Sequence, residues 1–145
     1  VSGNWFYTPY FLDANKGWIC GKNGVVKKTT NAGVNWDSLN TGGNEELLSI
    51  HFHDQMTGWV CGSQGEIFKT TDGGTNWVAQ TSGTINALES VVFTDANNGW
   101  IAGDMGTILY TTDGGTTWNK INKGLPSVEL GRIGLAISPA NPEII

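Results

Sequence analysis

Positive charge is scarce in this chain of 145 residues: eight Lys and Arg stand against thirteen Asp and Glu, giving a formal net charge of −5. Arg132 is the sole arginine. Nucleic acids and anionic membrane surfaces are held by clustered cations, so the balance excludes a nucleic-acid partner and leaves no footprint for a charged membrane. Long apolar runs are missing as well. None approaches the roughly 18 residues that span a bilayer, which argues against membrane insertion. Helical periodicity is found in no stretch. Charged residues make up only 14%, while apolar residues reach 39%, enough for a packed core, and glycine is abundant at 21 residues. A chain so built is an all-β protein with many tight turns and not a disordered one.

What is present is a repeat. Trp18, Trp59 and Trp100 form one ladder with a step of 41 residues, and Trp36, Trp77 and Trp118 form a second. Glycine keeps the same step at Gly17, Gly58 and Gly99 and again at Gly33, Gly74 and Gly115. Residues 58–81 set against 99–122 give twelve identities in twenty-four positions without a gap. A period of about 40–45 residues marks a repeat of four-stranded units. Cys20 and Cys61 are one period apart, with Ala102 in the third copy. Neighbouring units stack roughly 10 Å apart, beyond disulfide reach, so this slot reads as a small buried position.

The third copy shows the unit best. Leu88 to Thr94 is a largely apolar run, residues 95–98 are turn-forming, and Gly99 to Gly103 is a second short strand. Thr107 to Thr112 is β-branched and aromatic, as a strand should be. Asp113 to Thr116 forms a hairpin, and Thr117 to Ile121 alternates like a half-exposed outer strand. One such twisted sheet has two faces to bury and is not stable alone. Copies packed face to face around an axis make a β-propeller, with tryptophans in the wedges between blades. About three and a half blades are expected: blade 1 over residues 5–40, blade 2 over 46–81, blade 3 over 87–122, and the start of a fourth over 131–145. The chain opens at Val1 and stops at Ile145 within strand-like sequence, so further blades of the same parent chain, or a second copy, are expected to close the ring.

The hairpin of the third copy, Thr111-Thr112-Asp113-Gly114-Gly115-Thr116-Thr117-Trp118, resembles the Asp-box of bacterial neuraminidase repeats. The second copy, with Asp72, Gly74 and Trp77, has Asn76 where the motif has its last Thr. The first has Asn31 for the Asp, with Gly33 and Trp36 in place. The carboxylate can accept hydrogen bonds from the turn's own N–H groups, the glycine allows positive φ, and the indole anchors the hairpin. The resemblance places this hairpin at a rim away from the ligand face, so these residues read as structural fasteners. The longer string over residues 99–118 resembles the photosynthesis-system-II assembly and stability factor family of propellers, whose photosynthetic members act by binding and not by catalysis. The tail over 131–142 is similar to sortilin-like and xyloglucanase-type propellers. A sialidase is excluded within these residues, because its arginine triad cannot be built from Arg132 alone.

Binding residues concentrate on loops held by a rigid scaffold. In a propeller, the connections from strand four to the next strand one share a face with those from strand two to strand three. On that face Glu45, Glu46, Asp104, Glu129 and Arg132 are the candidates for contact with a partner. His51 and His53 read as a packed or channel-lining pair, with no third ligand nearby to make a metal site. No catalytic residue, metal or cofactor is assigned. The sequence therefore implies a non-enzymatic propeller segment that binds a protein partner or surface assembly. Its expected location is extracellular, cell-surface or periplasmic. The alternative is a glycan-binding or glycoside-hydrolase propeller, for which Asp104 with Glu45 or Glu46 would be the carboxylate pair.

Overall fold

In the computed structural model, Gly3 and residues 5–122 are described. They form three four-stranded antiparallel sheets in simple up-and-down order, a partial β-propeller. The first blade is β1 (Phe6–Phe11), β2 (Gly17–Gly21), β3 (Val25–Thr29) and β4 (Asp37–Asn40). The second is β5 (Leu47–Phe52), β6 (Gly58–Gly62), β7 (Ile67–Thr70) and β8 (Val78–Gln80). The third is β9 (Leu88–Phe93), β10 (Gly99–Gly103), β11 (Ile108–Thr111) and β12 (Asn119–Lys120). The expected start of a fourth blade, with Glu129 and Arg132, lies outside the described residues.

The Gly-Trp pair that opens the second strand of each blade has two separate tasks. Phe11, Phe52 and Phe93 end the inner strands and pair with Gly17, Gly58 and Gly99. A Cβ on Gly58 would sit 2.6 Å from the Phe52 ring, and one on Gly99 would sit 2.5 Å from that of Phe93. Glycine is thus the residue that lets the ring lie across the neighbouring strand. The next residue then reaches the following blade: Trp18 stacks on Phe52 with centroids 3.6 Å apart, and Trp59 stacks on Phe93 at 3.5 Å. Each indole N–H donates across the same junction, Trp18 to the Gly73 carbonyl at 3.2 Å and Trp59 to that of Gly114 at 3.0 Å.

The second ladder behaves differently. Trp77 and Trp118 are only half-buried, and they meet Phe52 and Phe93 of their own blades edge-on, at 6.1 and 5.9 Å. Each phenylalanine is therefore held by a stacked indole from the blade before and an edge-on indole from its own. Aromatic pairs of these geometries add about 0.5–1.5 kcal/mol each beyond the area they bury. Two apolar clusters result, one per junction, the first around Trp18, Leu47 and Phe52 and the second around Trp59, Leu88 and Phe93. Cys20 and Cys61 are buried free thiols in these clusters, and burial pushes the Cys20 thiol up to about 12.

The outer strand is shorter than the sequence implies. The alternation predicts a strand from Thr117, yet β12 covers only Asn119–Lys120. The Asp113 carboxylate takes the Thr117 N–H at 2.9 Å, so that group is unavailable to the sheet.

Candidate functional site

Both ends of each blade are built by the same backbone rules, but they carry different chemistry. At one end the hairpin between the third and fourth strands folds over the turn between the first and second. Gly73 N donates to Met56 O and Gly114 N to Asn97 O, both at 2.8 Å. The hub is a buried threonine hydroxyl. Thr29, Thr70 and Thr111 each accept the N–H of Gly33, Gly74 and Gly115, all at 2.9 Å. The same hydroxyl donates to Asn31, Asp72 or Asp113 at 2.8–3.0 Å. Those side chains in turn accept the N–H of Asn35, Asn76 and Thr117 at 2.8–2.9 Å. The hydrogen bonds from Thr117 and Thr111 hold the Asp113 carboxyl down at about 2, and similar bonds from Asn76 lower Asp72. The polar groups that recur in this hairpin are thus bonded to one another within the chain.

The opposite end is the loop face. The bends 22–24, 63–65 and 104–106 are pinned to the segment that leads into the first strand of their own blade. Lys22 N bonds Trp5 O, Ser63 N bonds Glu46 O, and Asp104 N bonds Ala87 O, each at 2.8 Å. Each bend carries a non-glycine residue in the left-handed region: Asn23 at φ 60°, Gln64 at 56° and Met105 at 55°. For methionine that conformation is uncommon, and Met105 is 77% exposed.

The sequence-predicted residues divide as follows. Glu45 and Glu46 sit together on the connection between blades 1 and 2, Glu45 exposed and Glu46 half-buried. Glu46 Oε1 lies 3.7 Å from Lys22 Nζ, and burial together with the Glu46 carboxylate raises the Tyr7 phenol. Asp104 is exposed on the third blade. Glu129 and Arg132 fall outside the described residues. His51 is packed between Tyr10 and Phe93, at ring distances of 4.9 and 6.3 Å. Burial lowers its pKa to about 4. His53 lies past the end of β5 and is exposed. Among the described residues, no three His, Cys, Asp or Glu side chains are grouped to hold a metal.

The model of the family described as Photosynthesis system II assembly factor YCF48 matches residues 35–131. The chain belongs to this family. Among curated proteins, none matches it. Among solved structures it is similar to YCF48 bound to D1 peptide, with 21% identity and a TM-score of 0.72, over 81% of this chain and 39% of that one. It is also similar to YCF48 from Cyanidioschyzon merolae, with 22% identity and a TM-score of 0.70, over 86% of this chain and 44% of that one. An ancestral GH74 enzyme shares the fold at 17% identity and a TM-score of 0.67, over 82% of this chain and 18% of its own. The chain thus spans about two fifths of the length of the YCF48 structures it matches.

Within this YCF48-family frame, sequence reasoning missed two sets of residues. Thr29, Thr70 and Thr111 recur at the 41-residue step, but a threonine in a β-rich run reads as a strand former before it reads as a hydroxyl hub. Glu66 was missed for the opposite reason: it recurs nowhere, with Val25 and Thr107 in its slot. It is half-buried at the foot of β7, beside Glu45, on the loop face.

Proposed function

We propose that this chain is a non-enzymatic propeller segment whose loop face binds a protein partner, serving as an assembly scaffold within a longer, exported protein. One observation carries the reading. The hairpin end repeats its hydrogen bonds in all three blades, whereas the loop face presents Lys22, Ser63 and Asp104 at one slot and Glu45 and Asn86 at another. Rigid loops with unlike side chains suit recognition. Membership in an assembly-factor family, and a relative of the same fold seen with a peptide bound, support it.

The test is fluorescence anisotropy with a panel of labelled peptides that includes a D1 peptide. Binding is expected to weaken at least about tenfold in a Glu45→Ala/Asp104→Ala chain, as for other lost charged contacts, and to persist in Asp13→Ala on the hairpin end. Equal loss in both variants would overturn the reading. The runner-up, a glycan-binding or glycan-cleaving propeller, draws on Trp5, which is 68% exposed and outside the ladders. Turnover of a polysaccharide such as xyloglucan by the purified chain would favour it.

A further inference from the structure

The two inter-blade junctions carry different chemistry at equivalent positions. Between blades 2 and 3, Asn86 Nδ2 donates to Thr107 Oγ1 at 2.9 Å. One repeat earlier those two positions are Glu45 and Glu66. A neutral donor–acceptor pair is replaced by two acids, which when ionised are acceptors only. Glu66 Oε2 is buried and has no hydrogen-bond partner among the described residues. The connection closes tightly over it, since a Cβ on Gly43 would lie 2.9 Å from Oε2 and 2.8 Å from Phe68 Cζ. Burial, and then the charge of Glu45, both raise the Glu66 carboxyl above its ordinary range. Lys22, on the same junction, lies 3.7 Å from Glu46 Oε1.

Glu66 also lines an open groove of about 640 Å³ on blade 2, with Gln64, Phe68, Gln80, Thr84 and Ile85. That volume falls within the usual range of ligand sites, about 300–1,000 Å³. Ile85 is 79% exposed there, where the preceding repeat has Asn44. The groove therefore combines a carboxylate, whose Oε2 is covered near Gly43, with an exposed apolar side chain.

We infer that this groove holds an extended peptide segment of the protein partner, with a Lys or Arg side chain of the peptide on Glu66 and an apolar one on Ile85. This rests on the protein-binding reading above and names the chemistry of the partner. A cation on the groove side of this carboxylate offsets the repulsion between Glu45 and Glu66. Charge-assisted hydrogen bonds of this type are roughly twice as strong as neutral ones. In an extended peptide alternate side chains point the same way, so Lys-X-Leu is the simplest matching pattern.

The experiment uses the whole chain, labelled with 15N, and the probe acetyl-Ser-Lys-Ser-Leu-amide. Amide shifts are expected in residues 64–68 and 81–85. Affinity is expected to fall about tenfold when norleucine replaces the lysine of the probe, and equally when the protein carries Glu66→Gln, as for a lost charged hydrogen bond. Ile85→Ser, a change at an exposed side chain, is expected to weaken binding several-fold without altering the fold. Equal affinity of the lysine and norleucine probes would overturn the proposal. So would unchanged affinity in Glu66→Gln, or the same shifts produced by CaCl2 alone. Shifts confined to other loop-face residues such as Asp104 and Met105 would overturn the groove while leaving the protein-binding reading standing. Absence of any loop-face shift, with basic, acidic and neutral probes alike, would overturn both.

Discussion

The hairpin end and the loop face of each blade are made from the same repeat, yet the three copies agree in side-chain bonding at one and differ in side chains at the other. At the hairpin end three copies keep one set of bonds: a threonine hydroxyl takes a glycine N–H at 2.9 Å in every blade. On the loop face equivalent slots hold a lysine, a serine and an aspartate, or a carboxylate pair in place of an amide and a hydroxyl. A repeat protein is stabilised by each unit and by its contacts with its neighbours. Positions that serve those contacts must suit every copy. Positions free of them can diverge, and divergence among internal copies then marks where a partner can be distinguished.

The sharpest way to break this contrast is to remove a junction side chain. Trp59 is fully buried, stacks on Phe93 and donates to Gly114 across the second junction. Trp59→Ala is expected to destabilise the chain by roughly 3–5 kcal/mol, the usual cost of truncating a large buried aromatic. Urea unfolding followed by the remaining tryptophans would measure it. A loss below about 1 kcal/mol would mean that the junctions are not what holds the blades together, since buried aromatics seldom cost so little.

Next in size is the hub of the hairpin end. Thr111→Val keeps the shape but leaves the Gly115 and Asp113 N–H groups without this acceptor and the Asp113 carboxylate without one donor. A buried donor without a partner costs about 1–3 kcal/mol, and the midpoint of thermal unfolding should fall accordingly. The acid response separates the blades further. Asp113 is held at about 2 against an ordinary 3.8. The carboxylate is therefore favoured in the folded state: its contribution is complete above 3.8 and is lost as pH falls towards 2. The hairpin with Asn31 has no carboxylate at that place and no such dependence. An Asp113→Asn chain is thus expected to unfold less steeply with acid than the parent below pH 4. An unchanged acid profile would show that the Asp113 bonds do not contribute to stability.

The ladders of Trp and Gly made the propeller legible from sequence because packing between identical units imposes one residue on every copy. Gly58 and Trp59 are readable together since one clears space for Phe52 and the other stacks on the next blade. The division of labour between the two ladders was not legible. Spacing alone does not tell a stacked indole from an edge-on one. Nor does it reveal that Trp36, Trp77 and Trp118 are only half-buried. On the loop face Glu45 and Glu46 were readable as charges on a connection. Their neighbour Glu66 was not, because it meets Glu45 only after β5 and β6 bring the foot of β7 back beside the connection.

The smallest expected effect tests the loop face from the side of stability. Burial and the nearby Glu45 raise the Glu66 carboxyl, so its charged form is disfavoured in the folded state. The folded chain binds the proton more tightly than the unfolded one, and stability must therefore decline as pH rises from 4.5 through the raised value. Glu66→Gln removes that decline. At pH 7 the variant is expected to be equal to or slightly more stable than the parent, within roughly 0.5 kcal/mol, as for partly exposed positions in general. Loss of stability in Glu66→Gln would place Glu66 among the structural residues, like the threonines of the hairpin end, and would erase the distinction between the two faces at this blade. A neutral or stabilising result means that the fold tolerates this carboxylate without needing it. A stabilising result in particular would mean that this acid, where the next repeat has a threonine, is carried at a cost to the fold, as the proposed contact with a peptide cation requires.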